Sequence, residues 1–160
     1  MSSNQEIFQK IAFRSVFHQD YDFLYELHTA TMKDYVDKTW GWNDDFQQKM
    51  FKENFKPDKL KIISFDKKDI GIIAVETSDK DVFLRIIEIL PEYQNKGIGR
   101  CIIQDIIDKA KNTNKVVFLY VLKVNPAQSL YKSLGFEIIS ETITHYVMKT
   151  NYNSTNTLFF

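Results

Sequence analysis

The chain has 160 residues, of which 44% are hydrophobic and 26% charged, the balance of a soluble globular domain rather than a disordered or membrane protein. Lysine plus arginine and aspartate plus glutamate each number 21, so the basic excess of a dedicated nucleic-acid binder is missing and no nucleic-acid partner is expected. Cys101 is the single cysteine, which excludes an internal disulfide and gives no reason to expect a metal site.

Residues 1–10 are polar and lack the apolar centre of a signal peptide. The longest apolar run, Val116–Leu122, is far short of a membrane span, so a cytoplasmic protein with no membrane partner is expected. Residues 11–17 are β-branched and aromatic and read as a strand, ending at His18-Gln19-Asp20, with Asp20 placed to cap a helix. Leu24, Leu27, Thr31/Met32 and Tyr35/Val36 then recur at the spacing of one helical face. Trp40-Gly41-Trp42-Asn43 interrupts that helix, and a second, shorter one runs to about Phe55, before Pro57.

Three strands follow at residues 60–65, 70–76 and 82–90, joined by short polar connections that suit hairpins. From Gly97 to about Asn112 the pattern is helical, with Ile98, Cys101, Ile102, Ile106 and Ala110 on one face and Ile103 and Ile107 widening the stripe. Residues 116–124 form a strand apolar on both faces and therefore central. Asn125-Pro126 opens another helix with Pro126 at its first position, Ala127, Leu130, Tyr131 and Leu134 facing inward and Gly135 as its stop. Residues 136–149 are one or two closing strands. The whole is one α/β domain over residues 1–150, with 151–160 as a frayed tail ending in Leu158-Phe159-Phe160.

The chemistry concentrates between Ile87 and Arg100. A strand ends at Pro91, a polar loop follows, and Gly97 and Gly99 open an amphipathic helix. Glycine lets backbone approach a ligand closely, and a helix N-terminus offers unpaired N–H groups with partial positive charge, a setting for phosphate oxygens. Lys96 and Arg100 add full charges, which suits a pyrophosphate. A P-loop would need its lysine after the glycines, and a dinucleotide fingerprint would need a small residue where Ile102 stands, so both fit badly.

Gln94-x-x-Gly97-x-Gly99 after Ile89-x-Pro91, followed by Leu130-Tyr131-x-x-Leu134-Gly135-Phe136, resembles the GNAT superfamily of N-acetyltransferases, most specifically over residues 82–148. The resemblance implies an α/β (α+β) fold with a mixed, strongly twisted central sheet of six to seven strands flanked by about four helices. It implies acetyl-CoA as cofactor. The pantetheine arm would lie where the sheet splays between the strand ending at Leu90 and that from Val116, pairing with backbone of Ile87, Glu88 and Ile89. The pyrophosphate would sit on the Gln94-to-Arg100 motif, on the N–H groups of Asn95, Lys96, Gly97, Ile98, Gly99 and Arg100. Asn125 would contact the cofactor too, although it stands six residues before Tyr131 where the family asparagine usually stands seven before its tyrosine.

By the same resemblance the reaction is direct attack of a primary amine on the thioester in a ternary complex, with backbone N–H near Ile89 stabilising the developing oxyanion. Tyr131 is similar to the tyrosine that protonates or hydrogen-bonds the departing sulfur; its other reading is inner-face packing beside Leu130 and Leu134. Glu88 is the sole charge in residues 86–90 and the candidate base, since desolvation strengthens a carboxylate as a base; otherwise it reaches solvent or pairs with a lysine and a water chain serves. Cys101, on the inner helix face, reads as a buried inert thiol. Tyr35, Trp40, Trp42 and His145 are the acceptor-side candidates, the tryptophans serving either as an aromatic wall for a cationic amine or as core anchors. The acceptor is read as a small-molecule amine. A protein N-terminus or lysine, or acyl-CoA sensing without turnover, stands as the alternative, and the resemblance is compatible with a homodimer.

Overall fold

The computed structural model describes residues 3–152. The strands are β1 (Ile11–Ser15), β2 (Lys61–Phe65), β3 (Lys68–Thr77), β4 (Asp81–Ile89), β5 (Val116–Leu122), β6 (Phe136–Glu141) and β7 (His145–Thr150). The helices are α1 (Ser3–Gln9), α2 (Tyr21–Trp40), α3 (Asp44–Asn54), α4 (Ile98–Asn112) and α5 (Gln128–Ser133). The strands make one mixed sheet in the order β1-β2-β3-β4-β5-β7-β6. β1 to β2 and β2 to β3 pair antiparallel, β4 to β5 parallel through Asp81↔Val116, Val82↔Val117 and Phe83↔Phe118, and β7 pairs antiparallel with both β5 and β6. The expected mixed α/β sheet is therefore present. The additional helix is α1, seven residues long with none buried, too short and polar to show a period in the sequence.

The described residues divide into two compact units, one within 3–75 and 86–101, the other within 76–85 and 102–152. In the first, Val16, Leu24, Leu27, Ile62 and Ile72 form a buried cluster, with Phe23, Phe51, Phe55, Leu60, Ile86 and Leu90 packed on it. Helix α2 thus buries the stripe that its spacing announces. In the second, β5 places Val117, Leu119, Val121 and Leu122 in the interior, and Met148 and Phe136 are buried with them. Phe83 stacks on Phe118 with ring centroids 4.7 Å apart, at the last pair of the parallel ladder.

Four local expectations change. The first strand stops at Ser15 because His18–Asp20 forms a tight turn, and Asp20 does not cap α2. Its carboxylate accepts instead from the Phe17 N–H and from the Arg14 guanidinium, which also holds Asp69 at 2.7 Å. Arg14 keeps both carboxyls below their ordinary range, Asp20 and Asp69 alike. The helix placed at Pro126 begins at Gln128: Asn125 Oδ1 accepts the Ala127 N–H at 2.9 Å, holding Pro126 in a turn ahead of the helix. Along α4 the buried residues include Ile103 and Ile107, while Ile106 is half-buried, so the stripe is rotated slightly from the one read in the sequence. Gly135 does stop α5, with φ of 95°.

One glycine inside a strand positions the rest. A Cβ on Gly71 would collide with the Glu88 carbonyl oxygen and stand 3.3 Å from Ile89 Cα. Since the colliding atom is backbone, Gly71→Ala should force β3 and β4 apart and destabilise by about 1–3 kcal/mol. The urea midpoint of the variant measures this, and an unchanged midpoint would contradict so close an approach.

Candidate active site

The end of β4 and the start of α4 are tied together by a short series of hydrogen bonds. Leu90 N–H donates to Ile70 O at 2.8 Å, which fixes the strand end to β3. Pro91–Tyr93 then makes one tight turn, with Tyr93 N–H to Leu90 O at 2.9 Å and Gln94 N–H to Pro91 O at 3.1 Å. The Gln94 side-chain amide reaches back to Ile89 O at 2.7 Å, so Gln94 anchors the loop on the strand through its side chain.

Beyond it the backbone turns left-handed twice, at Asn95 (φ 58°) and Gly97 (φ 86°). Asparagine is one of the few side chains that accept this conformation, and glycine accepts it without cost. Helix α4 starts at Ile98, which is buried and pins the first turn, and Cys101 N–H donates to Gly97 O at 3.0 Å. Backbone N–H groups ahead of that bond have no carbonyl one turn earlier in the helix, and left-handed residues beside a helix start form a concave set of donors suited to an anion. A Cβ on Gly97 would meet Ile7 Cδ1 of α1 at 3.2 Å, a tight contact, but it is the φ that calls for glycine. Lys96 and Arg100 are exposed at this end, with Lys96 Nζ 5.8 Å from the Tyr93 ring centroid.

Glu88 has a partner that the sequence reading did not assign. His28 Nδ1 lies 3.3 Å from Glu88 Oε1, with the two side chains 24% and 14% exposed. The imidazole stands near Trp42 (ring centroids 6.2 Å) and Phe51 (5.6 Å). Among the described residues no lysine pairs with Glu88, whose partner is His28. The available signal was position: His28 follows Leu24 by one helical turn, on the flank of the buried stripe. Of the two tryptophans, Trp42 reaches this cluster, its N–H groups held by Asp37 and Asp44. Trp40 is 59% exposed and is no core anchor, and Tyr35 is half-buried on α2.

Ile87, Glu88, Ile89 and the Gln94-to-Arg100 loop belong to the first unit with Tyr35, Trp40 and Trp42, whereas Asn125, Tyr131 and His145 belong to the second. Tyr131 is buried, 8% exposed, with its ring edge-on to Phe136 at 5.8 Å, and desolvation pushes its phenol up to about 12. His145 Nδ1 lies 2.8 Å from Thr144 Oγ1, and desolvation lowers the imidazole from its ordinary value. Among the described residues no cluster of three or more His, Cys, Asp or Glu is arranged to hold a metal, and no helix is long and apolar enough to cross a membrane.

Residues 58–138, about half of the chain, match the model of the acetyltransferase (GNAT) domain. No curated protein sequence matches the chain. Among solved structures it is similar to the PaiA N-acetyltransferase of Thermoplasma acidophilum in complex with coenzyme A, at 19% identity and TM-score 0.70 over 89% of this chain and 99% of that one. It is also similar to Arabidopsis thaliana Naa50 in complex with the bisubstrate analogue CoA-Ac-MVNAL, at 19% identity and TM-score 0.59 over 89% and 99%. The ribosomal-protein-S18-alanine N-acetyltransferase of Escherichia coli gives 20% identity and TM-score 0.60 over 88% and 92%. At these identities the likeness is one of fold.

Cys101 tests the packing at the start of α4. Its thiol is buried, donates to Asn4 O of α1 at 3.8 Å, and is raised by desolvation. Alkylation by iodoacetamide at neutral pH should be many-fold slower in the folded protein than in urea. Equal rates in the two conditions would show that α1 does not cover this thiol.

Proposed function

Because the chain belongs to the GNAT acetyltransferase family, we propose that it transfers the acetyl group of acetyl-CoA to a small-molecule primary amine by direct attack in a ternary complex. The observation that carries this reading is the loop of two left-handed residues opening α4, flanked by Lys96 and Arg100. Acetyl-CoA supplies the activated thioester. The N–H groups from Asn95 to Arg100 and the two cations would hold its pyrophosphate, while backbone of Ile87, Glu88 and Ile89 would receive the pantetheine arm, with Asn125 and Tyr131 as further contacts. Gln94 contributes by fixing the loop to Ile89.

Tyr131 is the proposed donor to the departing sulfur. Proton transfer from a phenol pushed up to about 12 to a thiolate whose acid is near 8.5 is strongly uphill, so the residue serves by donating a hydrogen bond rather than its proton. Glu88 is the proposed base for the amine. A half-buried carboxylate paired with an imidazole that itself stands near Trp42 and Phe51 suits a compact acceptor, which is why the small-molecule reading is preferred to an extended peptide.

Thermal unfolding with acetyl-CoA, CoA, NADH and ATP in parallel tests the assignment. At about a hundred times its dissociation constant a ligand adds roughly 2.7 kcal/mol, so acetyl-CoA and CoA should raise the midpoint while the other two should not. Gly97→Glu, which puts a negative charge and a side chain at a left-handed position of the loop proposed to hold the pyrophosphate, should abolish that rise. A rise that survives in Gly97→Glu would remove the phosphate cradle from this loop.

A further inference from the structure

Glu88 is held from one side only. His28 Nδ1 approaches Oε1 at 3.3 Å, and among the described residues Oε2 makes no hydrogen bond. Among them, too, no side-chain oxygen of a non-exposed residue is both buried and unpartnered, so Oε2 reaches solvent. An ionised carboxylate accepts only, so the tautomer that makes this bond with Glu88 in that form carries its proton on Nδ1, which donates to Oε1. The imidazole is itself set by apolar neighbours, with Phe51 at 5.6 Å and Trp42 at 6.2 Å, tilted by 32° and 35°. Trp42 is steadied in turn by Asp44, which accepts its indole N–H at 2.7 Å, and by Asp37, which accepts its backbone N–H at 2.9 Å.

We propose that His28 is a positioning residue for Glu88, and that the pair with Trp42 and Phe51 forms the acceptor site for a primary alkylammonium with an apolar chain. The proposal rests on the acetyltransferase reading above. The ammonium docks on Oε2, the open oxygen, while its chain lies against the aromatic rings and gains from apolar burial, the Trp42 ring already carrying the Lys33 ammonium at 5.8 Å. One ammonium proton passes to Oε2 and leaves the nitrogen lone pair free. The nitrogen–carbon bond then forms as the carbon–sulfur bond breaks, the second nitrogen proton ends on the thiol, and Glu88 releases its proton to water. His28 keeps Oε1 occupied, so that the oxygen facing the amine is always the same one. An amine carrying an α-carboxylate would set that charge against Glu88 and is rejected.

The test compares two replacements of opposite character. His28→Phe keeps the ring and its packing against Trp42 and Phe51 but removes the donor. His28→Asn removes the ring but keeps an N–H near the place of Nδ1. With hexylamine and acetyl-CoA, His28→Phe should lose roughly tenfold to a hundredfold in kcat/KM for the amine, the range of a hydrogen bond to a charged group, with the KM for acetyl-CoA unchanged. His28→Asn should recover most of that loss. A packing role would give the reverse order, and either the reverse order or wild-type activity in His28→Phe overturns the proposal.

A binding measurement keeps the question open to decision without turnover. In a Trp40→Phe background Trp42 is the single tryptophan, and hexylammonium should change its fluorescence with a saturable curve that Glu88→Gln weakens at least tenfold, while 2-aminohexanoic acid should not compete. No saturable change, or equal binding in Glu88→Gln, overturns the acceptor site. If acetyl-CoA raises the unfolding midpoint but these signals fail, the acetyltransferase reading stands and this site falls. If acetyl-CoA has no effect on the midpoint while hexylammonium binds through Glu88, the reaction is wrong and the amine site is upheld.

Discussion

Gly71 marks where β3 and β4 run so close that no side chain fits between them: a methyl group there would strike the Glu88 carbonyl oxygen and press on Ile89 Cα. That approach, with the bond from Leu90 N–H to Ile70 O, fixes the end of β4 as a rigid platform. The proposed site residues of the first unit, Glu88 and the loop from Gln94, are mounted on it. The Glu88 side chain leaves the strand toward His28 on α2, and the Ile89 carbonyl receives the Gln94 side chain that holds the loop. The loop can then afford two left-handed residues, because its two ends are tied to a strand and to a buried Ile98.

Burial sorts the candidate side chains into different chemical jobs. Tyr131 is buried and desolvation pushes its phenol up to about 12, which suits the proposed donor role better than that of a base. Glu88 is half-buried, with one oxygen held and the other reaching solvent, the condition of a group that must exchange a proton with an incoming molecule. Cys101, in the first turn of α4, is covered and raised by desolvation, the condition of a packing thiol rather than a reactive one.

Most of the fold was legible because the periodicities are long and clean. Helix α2 carries Leu24, Leu27 and Val36 on one side, and β5 is apolar on both faces as a central strand must be. The loop at Gln94–Arg100 was legible from its glycines and charges. What escaped were features whose cause is a neighbour distant in sequence. Asp20 looks like a cap, yet Arg14 and the Phe17 N–H claim its carboxylate. The glycine at position 71 was a signal for a close approach, since an isolated glycine in a strand often marks one, but what it approaches is set by strand pairing. His28 lies 60 positions from Glu88, and nothing local to either residue announces the pair. Pro126 was misplaced for a local reason: the Asn125 side chain takes the Ala127 N–H and delays the helix.

The central claim is that this chain makes an amide from acetyl-CoA and a primary amine. The direct measurement is mass-spectrometric detection of acetylated product, with release of free CoA thiol, over a panel of alkylamines, amino acids and short peptides. The account predicts an acetylated alkylamine, formed well above the thioester hydrolysis background and diminished in Tyr131→Phe. Acetylation of peptides in place of alkylamines would contradict the small-molecule reading, and binding of acetyl-CoA with no product from any amine would contradict catalysis itself.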